Sequence, residues 1–221
     1  MVQKKGFIFM GAPGSGKGTQ AGVLAEEFKL CHLSTGDMLR DAVSKGTEFG
    51  RLAKRQMETG GLVSDDIVTS IIDNNLGSER CRRGFILDGF PRTIPQAESL
   101  DDMLMKRGEK IDAAIQFDVD DEEVVKRVTG RWIHKASGRS YHTVFNPPKS
   151  AGVDDLTGEP LIQRPDDTEE ICRTRLKNYH TQASALLRFY HQKKVLKRIN
   201  AMQPITTVRS NLKRIFNNQQ L

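Results

Sequence analysis

The sequence predicts an α/β fold in which a parallel sheet of five strands is covered by helices on both faces. Five short apolar runs have the composition of buried strands: FIFMG (7–11), CHLS (31–34), GFILD (84–88), AAIQFDV (113–119) and VLKRI (195–199). Helix-like stretches lie between them, and this alternation is typical of parallel sheets. A glycine-rich turn follows the first run, and polar residues suited to ligand binding follow the second and third.

The first strand, residues 4–10, leads into a glycine-rich turn and then into a helical pattern, QAGVLAEEF. Strand, glycine-rich turn and helix in this order are the layout of a P-loop, in which backbone N–H groups and the helix N-terminus bind phosphate. Lys17 is placed to reach the outer phosphates, and Gly18 separates it from the hydroxyl of Thr19. The general motif has the hydroxyl directly after the lysine. The alternative is a glycine-rich turn that binds no ligand.

Residues 35–63 do not fit the plain alternation of strands and helices. Two short helices are predicted there, at 41–45 and 52–58, and Gly60 and Gly61 mark a hinge. The segment begins within STGDMLR (34–40), which follows the second strand and offers Thr35 and Arg40 to a phosphate.

The third strand is followed by LDGFPRT (87–93), which places Asp88 at the strand end and Arg92 in the turn. Ligands of open parallel sheets bind beyond the carboxyl ends of the strands. Lys17, Thr35 and Asp88 should therefore converge at one edge, together with the two arginines. Asp88 is suited to hold Mg²⁺ through water, because this ion prefers oxygen ligands and keeps much of its hydration. The alternative for Asp88 is a helix N-cap or turn residue.

Two arginines fall on helix faces that should be apolar. Arg127 shares a face with Val124 and Val128 in a helix predicted from about 121 to 130. Arg175 lies at the centre of the apolar stripe of the helix after Asp167, whereas Arg173 reads as a surface charge. A buried guanidinium without a partner is costly. Each of the two must therefore meet an acid in a structural ion pair or line a cleft that receives an anion.

A second insert, residues 131–167, is rich in Gly, Pro, Ser and Asp. Long inserts in compact domains are usually lids or disordered segments. This one contains Trp132, Tyr141, Phe145 and Leu161, which favours a folded lid. A helix restarts near Asp167, where Asp167 and Glu170 have the spacing of a capping box.

The composition fits a folded, water-soluble chain, with 37% hydrophobic and 28% charged residues among 221. No apolar run approaches the roughly 20 residues that cross a membrane, and no secretory signal is visible at the start. Cys31, Cys81 and Cys172 are odd in number and form no CxxC pair, so unpaired thiols in a reducing compartment are expected. The net charge of +6 allows nucleic-acid binding, a basic surface or a cavity for polyphosphates; the scattered arginines favour the cavity.

Several segments together resemble the adenylate kinases, and specifically the long-lid form: GAPGSGKGTQ, STGDMLR, GFILDGFPRT, GRWIH, FNPPK, DDLTGEPLIQR and RPDD. The resemblance covers essentially the whole chain. It implies one P-loop core domain (1–221) with an AMP-binding insert (34–63) and a lid insert (130–167). It also implies Mg²⁺-dependent, reversible phosphoryl transfer from ATP to AMP, giving two ADP, by an enzyme that closes its lid over both nucleotides.

The resemblance also implies the site residues. The ATP side comprises Gly14, Ser15, Gly16, Lys17, Gly18 and Thr19 of the P-loop, Arg127 against the adenine, and Ser140, Tyr141 and Gln203 near the base. The AMP side comprises Thr35, Arg40, Gly61, Leu62, Val63, Gly89, Arg92 and Gln96. Arg131, Arg164 and Arg175 reach the phosphates from the lid side and form the catalytic set with Lys17 and Arg92. Asp88 holds Mg²⁺ through water.

Two finer predictions concern selectivity and metal content. The Gln96 amide offers a donor and an acceptor that complement adenine, so AMP is the expected acceptor. In the lid, His134, Ser137, Asp154 and Thr157 have the spacing of a four-cysteine zinc ribbon. Because hydroxyls are poor zinc ligands, we expect a hydrogen-bonded cluster and no structural zinc; unrelated surface polar groups are the alternative.

Three rival functions remain at this stage. A P-loop GTPase or ATPase switch does not account for GFILDGFPR, and a nucleic-acid binding module rests on net charge alone. Another nucleoside monophosphate kinase, or an AMP kinase that uses GTP, differs from the favoured function only in its bases. A cytoplasmic monomer without membrane or nucleic-acid partners is expected, with the mitochondrial intermembrane space as the alternative location.

Overall fold

The computed structural model describes residues 4–218. Its core is a five-stranded parallel sheet of β1 (Lys5–Gly11), β2 (Cys31–Ser34), β3 (Gly84–Asp88), β4 (Ala113–Asp118) and β8 (Leu196–Asn200). The spatial order is β2-β3-β1-β4-β8. The predicted α/β fold and its five strands are confirmed, with boundaries that differ by at most two residues.

Helices cover both faces of this sheet, as predicted. They are α1 (Lys17–Phe28), α5 (Ile94–Lys106), α6 (Asp121–Thr129), α7 (Glu169–Gln192) and α8 (Ile205–Asn218). Successive residues of a strand point to opposite faces. On β1, Phe7 and Phe9 pack with Phe216 of α8, while Ile8 packs in a second apolar cluster with Tyr190 of α7. The sheet is therefore buried on both sides, which explains the near-continuous apolar strands.

The first insert is more helical than predicted. Helices α2 (Thr35–Ser44) and α3 (Glu48–Glu58) replace the two short helices expected at 41–45 and 52–58, and α4 (Asp65–Leu76) follows the insert. Ser34 caps α2 by accepting a hydrogen bond from Asp37 N, which starts the helix six residues earlier than predicted. Gly50 allows α2 and α3 to touch, since a Cβ there would lie 2.1 Å from the Ala42 carbonyl oxygen.

The second insert folds into a small antiparallel sheet, as expected for a lid. Its strands are β5 (Arg131–His134), β6 (Ser140–His142) and β7 (Leu161–Ile162), in the order β6-β5-β7. The predicted capping box at Asp167 is wrong by one residue. Thr168 caps α7 and accepts a hydrogen bond from Ile171 N, because Asp167 is engaged by Arg131 of the lid.

The expectation of unpaired thiols is wrong for two of the three cysteines. Cys31 at the start of β2 and Cys81 at the end of a 3₁₀ turn (Glu79–Cys81) form a disulfide, with 4.9 Å between their Cα atoms. The pairing of β2 with β3 brings them together across 50 residues of sequence. Cys172 is free and buried.

Within residues 4–218, no helix combines the length and the apolar character needed to cross a membrane.

Candidate functional site

The glycine-rich turn between β1 and α1 has the backbone of a P-loop. Gly14 and Gly16 adopt φ values of +78° and +94°, a conformation that side chains disfavour. A Cβ on Gly14 would also lie 2.6 Å from Val128 Cγ2. Gly16 is the N-cap of α1 and has no side chain to cap it, so the N–H groups of the first helical turn remain available to an anion.

Lys17 closes this turn with three hydrogen bonds. Its Nζ donates to the carbonyl oxygens of Gly11 (2.8 Å) and Ala12 (2.7 Å) and to Ser15 Oγ (3.2 Å). Burial lowers the pKa of Lys17 from 10.5 to about 8. The negative charge of Asp88 opposes this shift, and the positive charges of Arg92 and Arg131 add to it. The ammonium group thus uses its three donors within the turn, while burial disfavours its charge.

The polar groups that follow β2 and β3 meet, as the parallel sheet requires. Ser34 and Phe9 are the register partners of Asp88 on either side of β3. Thr35 Oγ1 donates to the carbonyl oxygens of Asp88 (3.2 Å) and Gly89 (2.9 Å). Burial raises the pKa of Asp88, but His32, whose Nε2 lies 3.4 Å from Asp88 Oδ2, and Lys17 more than offset this and lower it. Asp88 is therefore an ionised carboxylate beside the P-loop.

Four arginines from three parts of the chain form what we call the cleft cluster, together with Asp37, Asp166 and Asp167. Arg40 and Arg164 both donate to Asp37 Oδ1, at 2.6 and 2.8 Å. Arg131 pairs with Asp167, and Arg175 pairs with Asp166. Arg175 therefore combines the two alternatives expected from the sequence: it lines the cleft, and it also forms an ion pair. The same holds for Arg127, whose Nε lies 3.1 Å from Glu123.

Positive charge exceeds what these carboxylates neutralise. Arg164 is mostly buried, and its Nε has no hydrogen-bond partner among the described residues. Burial and the neighbouring Arg40 and Arg131 lower the pKa of Arg164 to about 10. Asp37 responds in the opposite sense: although burial raises its pKa, Arg40 and Arg164 lower it to about 2. Four arginines thus share three carboxylates in this cluster, and excess positive charge of this kind favours an anion.

One end of the cleft has the features of a base pocket. Arg127 Nη1 donates to the Ala201 carbonyl oxygen (3.0 Å), and its guanidinium lies 5.5 Å from the centre of the Phe145 ring. Gln203 also lines the cleft and accepts a hydrogen bond from Asn211. Tyr141 donates its hydroxyl to Asp154 of the lid (2.9 Å), so its ring rather than its hydroxyl is available to a ligand.

At the other end, Gln96 is buried and its amide is already engaged. Its Oε1 accepts from the backbone N–H of Arg92 (2.7 Å), and its Nε2 donates to Asp65 Oδ1 (2.6 Å). Gly60, at φ +73°, ends the helix before the Gly61–Val63 segment, and its carbonyl oxygen accepts from Asn178 of α7 (3.0 Å). That contact ties the insert to α7.

The P-loop, Asp37, Asp88 and the four arginines of the cleft cluster line one cleft of about 580 Å³. It includes every residue proposed from the sequence: Gly14, Ser15, Gly16, Lys17, Gly18, Thr19, Thr35, Arg40, Gly61, Leu62, Val63, Asp88, Gly89, Arg92, Gln96, Arg127, Arg131, Ser140, Tyr141, Arg164, Arg175 and Gln203. Their roles toward particular atoms of a ligand stay predictions.

Sequence reasoning missed the carboxylates that hold the arginines. Asp37 lies inside STGDMLR, and its spacing from Ser34 is that of a capping residue, which was a usable signal. Asp166 and Asp167 gave no comparable signal, because their partners are distant in sequence. His32 and Glu123 were also missed.

The lid contains a second polar group of residues, which we call the lid cluster: His134, Ser137, Arg139, Tyr141, Asp154, Thr157 and Glu159. The predicted hydrogen bonds among the four zinc-ribbon positions are present. His134 Nδ1 lies 2.7 Å from Ser137 Oγ, and Thr157 Oγ1 donates to Asp154 Oδ2 (2.9 Å). Arg139 adds two hydrogen bonds to Asp154, and Glu159 contacts His134. The cluster joins the two turns of the lid.

Comparison with known proteins agrees with this geometry. A family model for adenylate kinase matches residues 9–195. Adenylate kinase 4 of Arabidopsis thaliana is 54% identical over 210 residues, which cover 95% of this chain and 85% of that protein. Adenylate kinase 4 of Oryza sativa subsp. japonica is 50% identical, covering 96% and 87%, and an adenylate kinase of Laccaria bicolor is 52% identical, covering 95% and 82%. This chain belongs to the adenylate kinase family of nucleoside monophosphate kinases.

Proposed function

We propose that the cleft catalyses reversible transfer of a phosphoryl group from Mg²⁺-bound ATP to AMP, giving two ADP. The observation that carries this proposal is that one cleft contains two sets of phosphate-suited groups. The P-loop with Lys17 is one set, and Thr35, Arg40 and Arg92 are the other. Cationic groups that the carboxylates do not neutralise line the same cleft. A switch GTPase needs only the first of these sets. A second, phosphate-suited set is what an acceptor monophosphate requires.

The chemistry asks for positioning and charge neutralisation rather than a covalent intermediate. Lys17 and the arginines of the cleft cluster would stabilise the charge that spreads over the transferred group. Their present carboxylate partners hold them at the cleft wall until phosphate oxygens replace those partners. Closure of the lid insert would exclude water, which otherwise competes with AMP for the phosphoryl group.

Asp88 fits the requirements of a magnesium site. It is an ionised carboxylate at the end of β3, and Mg²⁺ prefers oxygen donors. Its Oδ2 lies 3.4 Å from where a Cβ of Gly18 would be, so the carboxylate faces the first turn of α1. Bound Mg²⁺ would neutralise charge on the phosphates, while Asp88 and the hydroxyl of Thr19 would hold it, with Asp88 acting through water.

A matrix of donors and acceptors tests the proposal. ATP and GTP are each combined with AMP, GMP, CMP and UMP, and product formation is followed for the wild type. We expect ATP with AMP to give the highest kcat/KM. Hydrolysis of the triphosphate without transfer to any monophosphate would favour a switch ATPase or GTPase instead, and a preference for GTP would correct the donor alone.

The acceptor base is read, in this proposal, by Gln96. Replacing it with alanine should lower kcat/KM for AMP by about 10²-fold, because adenine's polar edge is then left unpaired in a buried site. Gln192→Ala, an exposed glutamine at the end of α7, is the matched control and should leave kcat/KM unchanged. A Gln96→Ala enzyme that keeps the full preference for AMP would show that another group reads the base.

We further propose that the protein acts as a monomer on free nucleotides, without nucleic-acid or membrane partners and without structural zinc. Light scattering checks the first point at working concentrations. The cytoplasm is the location expected from the sequence, but the Cys31–Cys81 disulfide weighs against a reducing compartment and favours the alternative, the mitochondrial intermembrane space. Thiol labelling of protein isolated under acid quench distinguishes the two.

A further inference from the structure

Asp65, the first residue of α4, connects this helix to α5 behind the cleft. Its Oδ1 accepts a hydrogen bond from Gln96 Nε2 (2.6 Å), and its Oδ2 accepts one from Thr93 Oγ1 (2.8 Å). Thr93 is the N-cap of α5 and also accepts from Gln96 N (3.3 Å). Asp65 is not part of the cleft lining, whereas Gln96 is. The carboxylate therefore contacts Gln96 without itself lining the cleft.

Together, Asp65 and the backbone of Arg92 fix which way the Gln96 amide points. The side chain of Asp65 can only accept, and the Arg92 N–H can only donate. A rotated amide would face the N–H with its own NH₂ group and the carboxylate with its own oxygen. Since the residue is only 3% exposed, neither mismatch is relieved by water. One amide N–H and one lone pair of Oε1 remain for a ligand.

The orientation matters because adenine and guanine present opposite patterns. On its Watson–Crick edge adenine offers the N6 donor beside the N1 acceptor, whereas guanine offers the O6 acceptor beside the N1–H donor. A glutamine amide in one orientation complements adenine, and the same amide rotated by half a turn complements guanine. An unrestrained glutamine therefore selects poorly between the two bases.

We propose that Asp65 is a positioning residue for base selection: by fixing the orientation of the Gln96 amide, it makes the acceptor site prefer AMP over GMP. This inference rests on the proposed function, since it assumes that Gln96 contacts the acceptor base.

The test compares Asp65→Ala with two other variants. Asp65→Asn keeps an oxygen for Gln96 Nε2 and can turn its own NH₂ toward Thr93 Oγ1, so it should preserve selection. Asp66→Ala removes the neighbouring, exposed acid from the same helical turn and thus controls for charge at the N-terminus of α4. The measured quantity is the ratio of kcat/KM for AMP to that for GMP, with ATP as the donor.

Asp65→Ala leaves the Arg92 N–H in place but frees Nε2 of Gln96, so we expect this ratio to fall about 10-fold, chiefly through a higher KM for AMP. Asp65→Asn should stay within about 3-fold of the wild-type ratio, and Asp66→Ala should match it. A merely structural role predicts equal losses with both monophosphates and an unchanged ratio, and that result would overturn the inference. The same holds if Asp66→Ala changes the ratio as much.

Two further outcomes are separable. A wild type without any preference for AMP over GMP would refute the proposed acceptor and this inference together, whereas a selective wild type with an unaffected Asp65→Ala variant refutes only the inference. If Asp65→Ala does not fold, Asp65→Ser is read in its place. Serine suits the first turn of a helix, and its shorter side chain does not reach Gln96.

Discussion

The lid cluster and the cleft cluster are both built from arginines and aspartates, yet they differ in how far their charges are satisfied. In the lid cluster, Asp154 is fully buried and accepts hydrogen bonds from Arg139, Tyr141 and Thr157, among others. The carboxylate is so well solvated by these donors that its pKa is lowered, chiefly by Arg139. The hydrogen-bonding capacity of this carboxylate is filled by donors of the protein itself.

The cleft holds more cations than anions. Lys17, Arg92 and the four arginines of the cleft cluster face Asp88 and the cluster's three carboxylates. Burial lowers the pKa of Lys17 to about 8 and that of Arg164 to about 10, and Arg164 Nε is unpartnered within the described part of the chain. Arginine and aspartate are therefore fully paired with each other in the lid cluster, whereas the cleft keeps the excess of positive charge that the proposed function requires.

The largest expected effect follows from removing the cation that the P-loop holds. Lys17→Met should lower kcat by about 10³-fold or more, since it removes a charge that the proposed function assigns to the transferred phosphate. The melting temperature should change little, because a desolvated cation with a lowered pKa is not a net source of stability. Lys177→Met, on the exposed side of α7, is the control. A soluble, folded Lys17→Met enzyme with kcat within a few-fold of wild type would contradict the P-loop assignment.

Two arginines of α7 allow a residue of the cleft cluster to be compared with an exposed ion pair on the same helix. Arg175→Ala should lower kcat by about 10²-fold, because Arg175 lines the cleft. Its loss should affect stability only modestly, since its partner Asp166 keeps Arg40 at 3.8 Å. Arg173 lies two positions away, exposed and paired with Glu122 and Glu169, so Arg173→Ala should keep kcat within about 2-fold. If melting temperature falls sharply in Arg175→Ala while kcat holds, its ion pair is structural.

This contrast also marks what the sequence alone could predict. The strands and the P-loop were predictable because each depends on a few adjacent residues, such as residues 4–19. The partners of the cleft arginines were not, because they are set by folding over long distances: Arg164 meets Asp37 across 127 positions. The same reason hid the Cys31–Cys81 pair.

Two further features could not be predicted, because neighbouring residues are equally suited to the role or because the partner is distant in sequence. Asp167 and Thr168 are both good helix caps; Asp167 accepts hydrogen bonds from Arg131 of the lid, and Thr168 caps the helix. For Gln96, the sequence predicted a base-reading amide but gave no sign that this amide donates a hydrogen bond to Asp65.

A substitution in the lid cluster should do the reverse of Arg175→Ala. Asp154→Asn replaces one carboxylate oxygen by a donor that faces Arg139 and Thr157, so the hydrogen bonds that join the two lid turns are lost. We expect a melting temperature lower by a few degrees and faster proteolysis within the lid. The kcat should stay within about 5-fold of wild type, because Asp154 does not line the cleft. Asp155→Asn, at an exposed neighbour, is the control. A loss of kcat as large as that of Arg175→Ala would place Asp154 in the catalytic machinery.

The last prediction is that the lid binds no zinc, so that removing metal changes nothing. Both ring nitrogens of His134 are engaged, by Ser137 and by Glu159, and Asp154 is saturated by its donors. A zinc ion would have to displace these bonds to gain one imidazole, one carboxylate and two weak hydroxyl ligands. Elemental analysis of protein purified without added metal should therefore find well under one zinc per chain, and a chelator should leave the melting temperature unchanged.

A positive control makes this absence informative. Replacing His134, Ser137, Asp154 and Thr157 together by cysteine installs the four-thiolate ribbon whose spacing these positions already have. That variant should bind one zinc per chain and melt at a lower temperature once the metal is removed, since structural zinc contributes folding free energy. If the wild type also carries stoichiometric zinc that a chelator removes with loss of stability, the hydrogen bonds of the lid cluster are not what joins its turns, and the contrast with the cleft cluster fails.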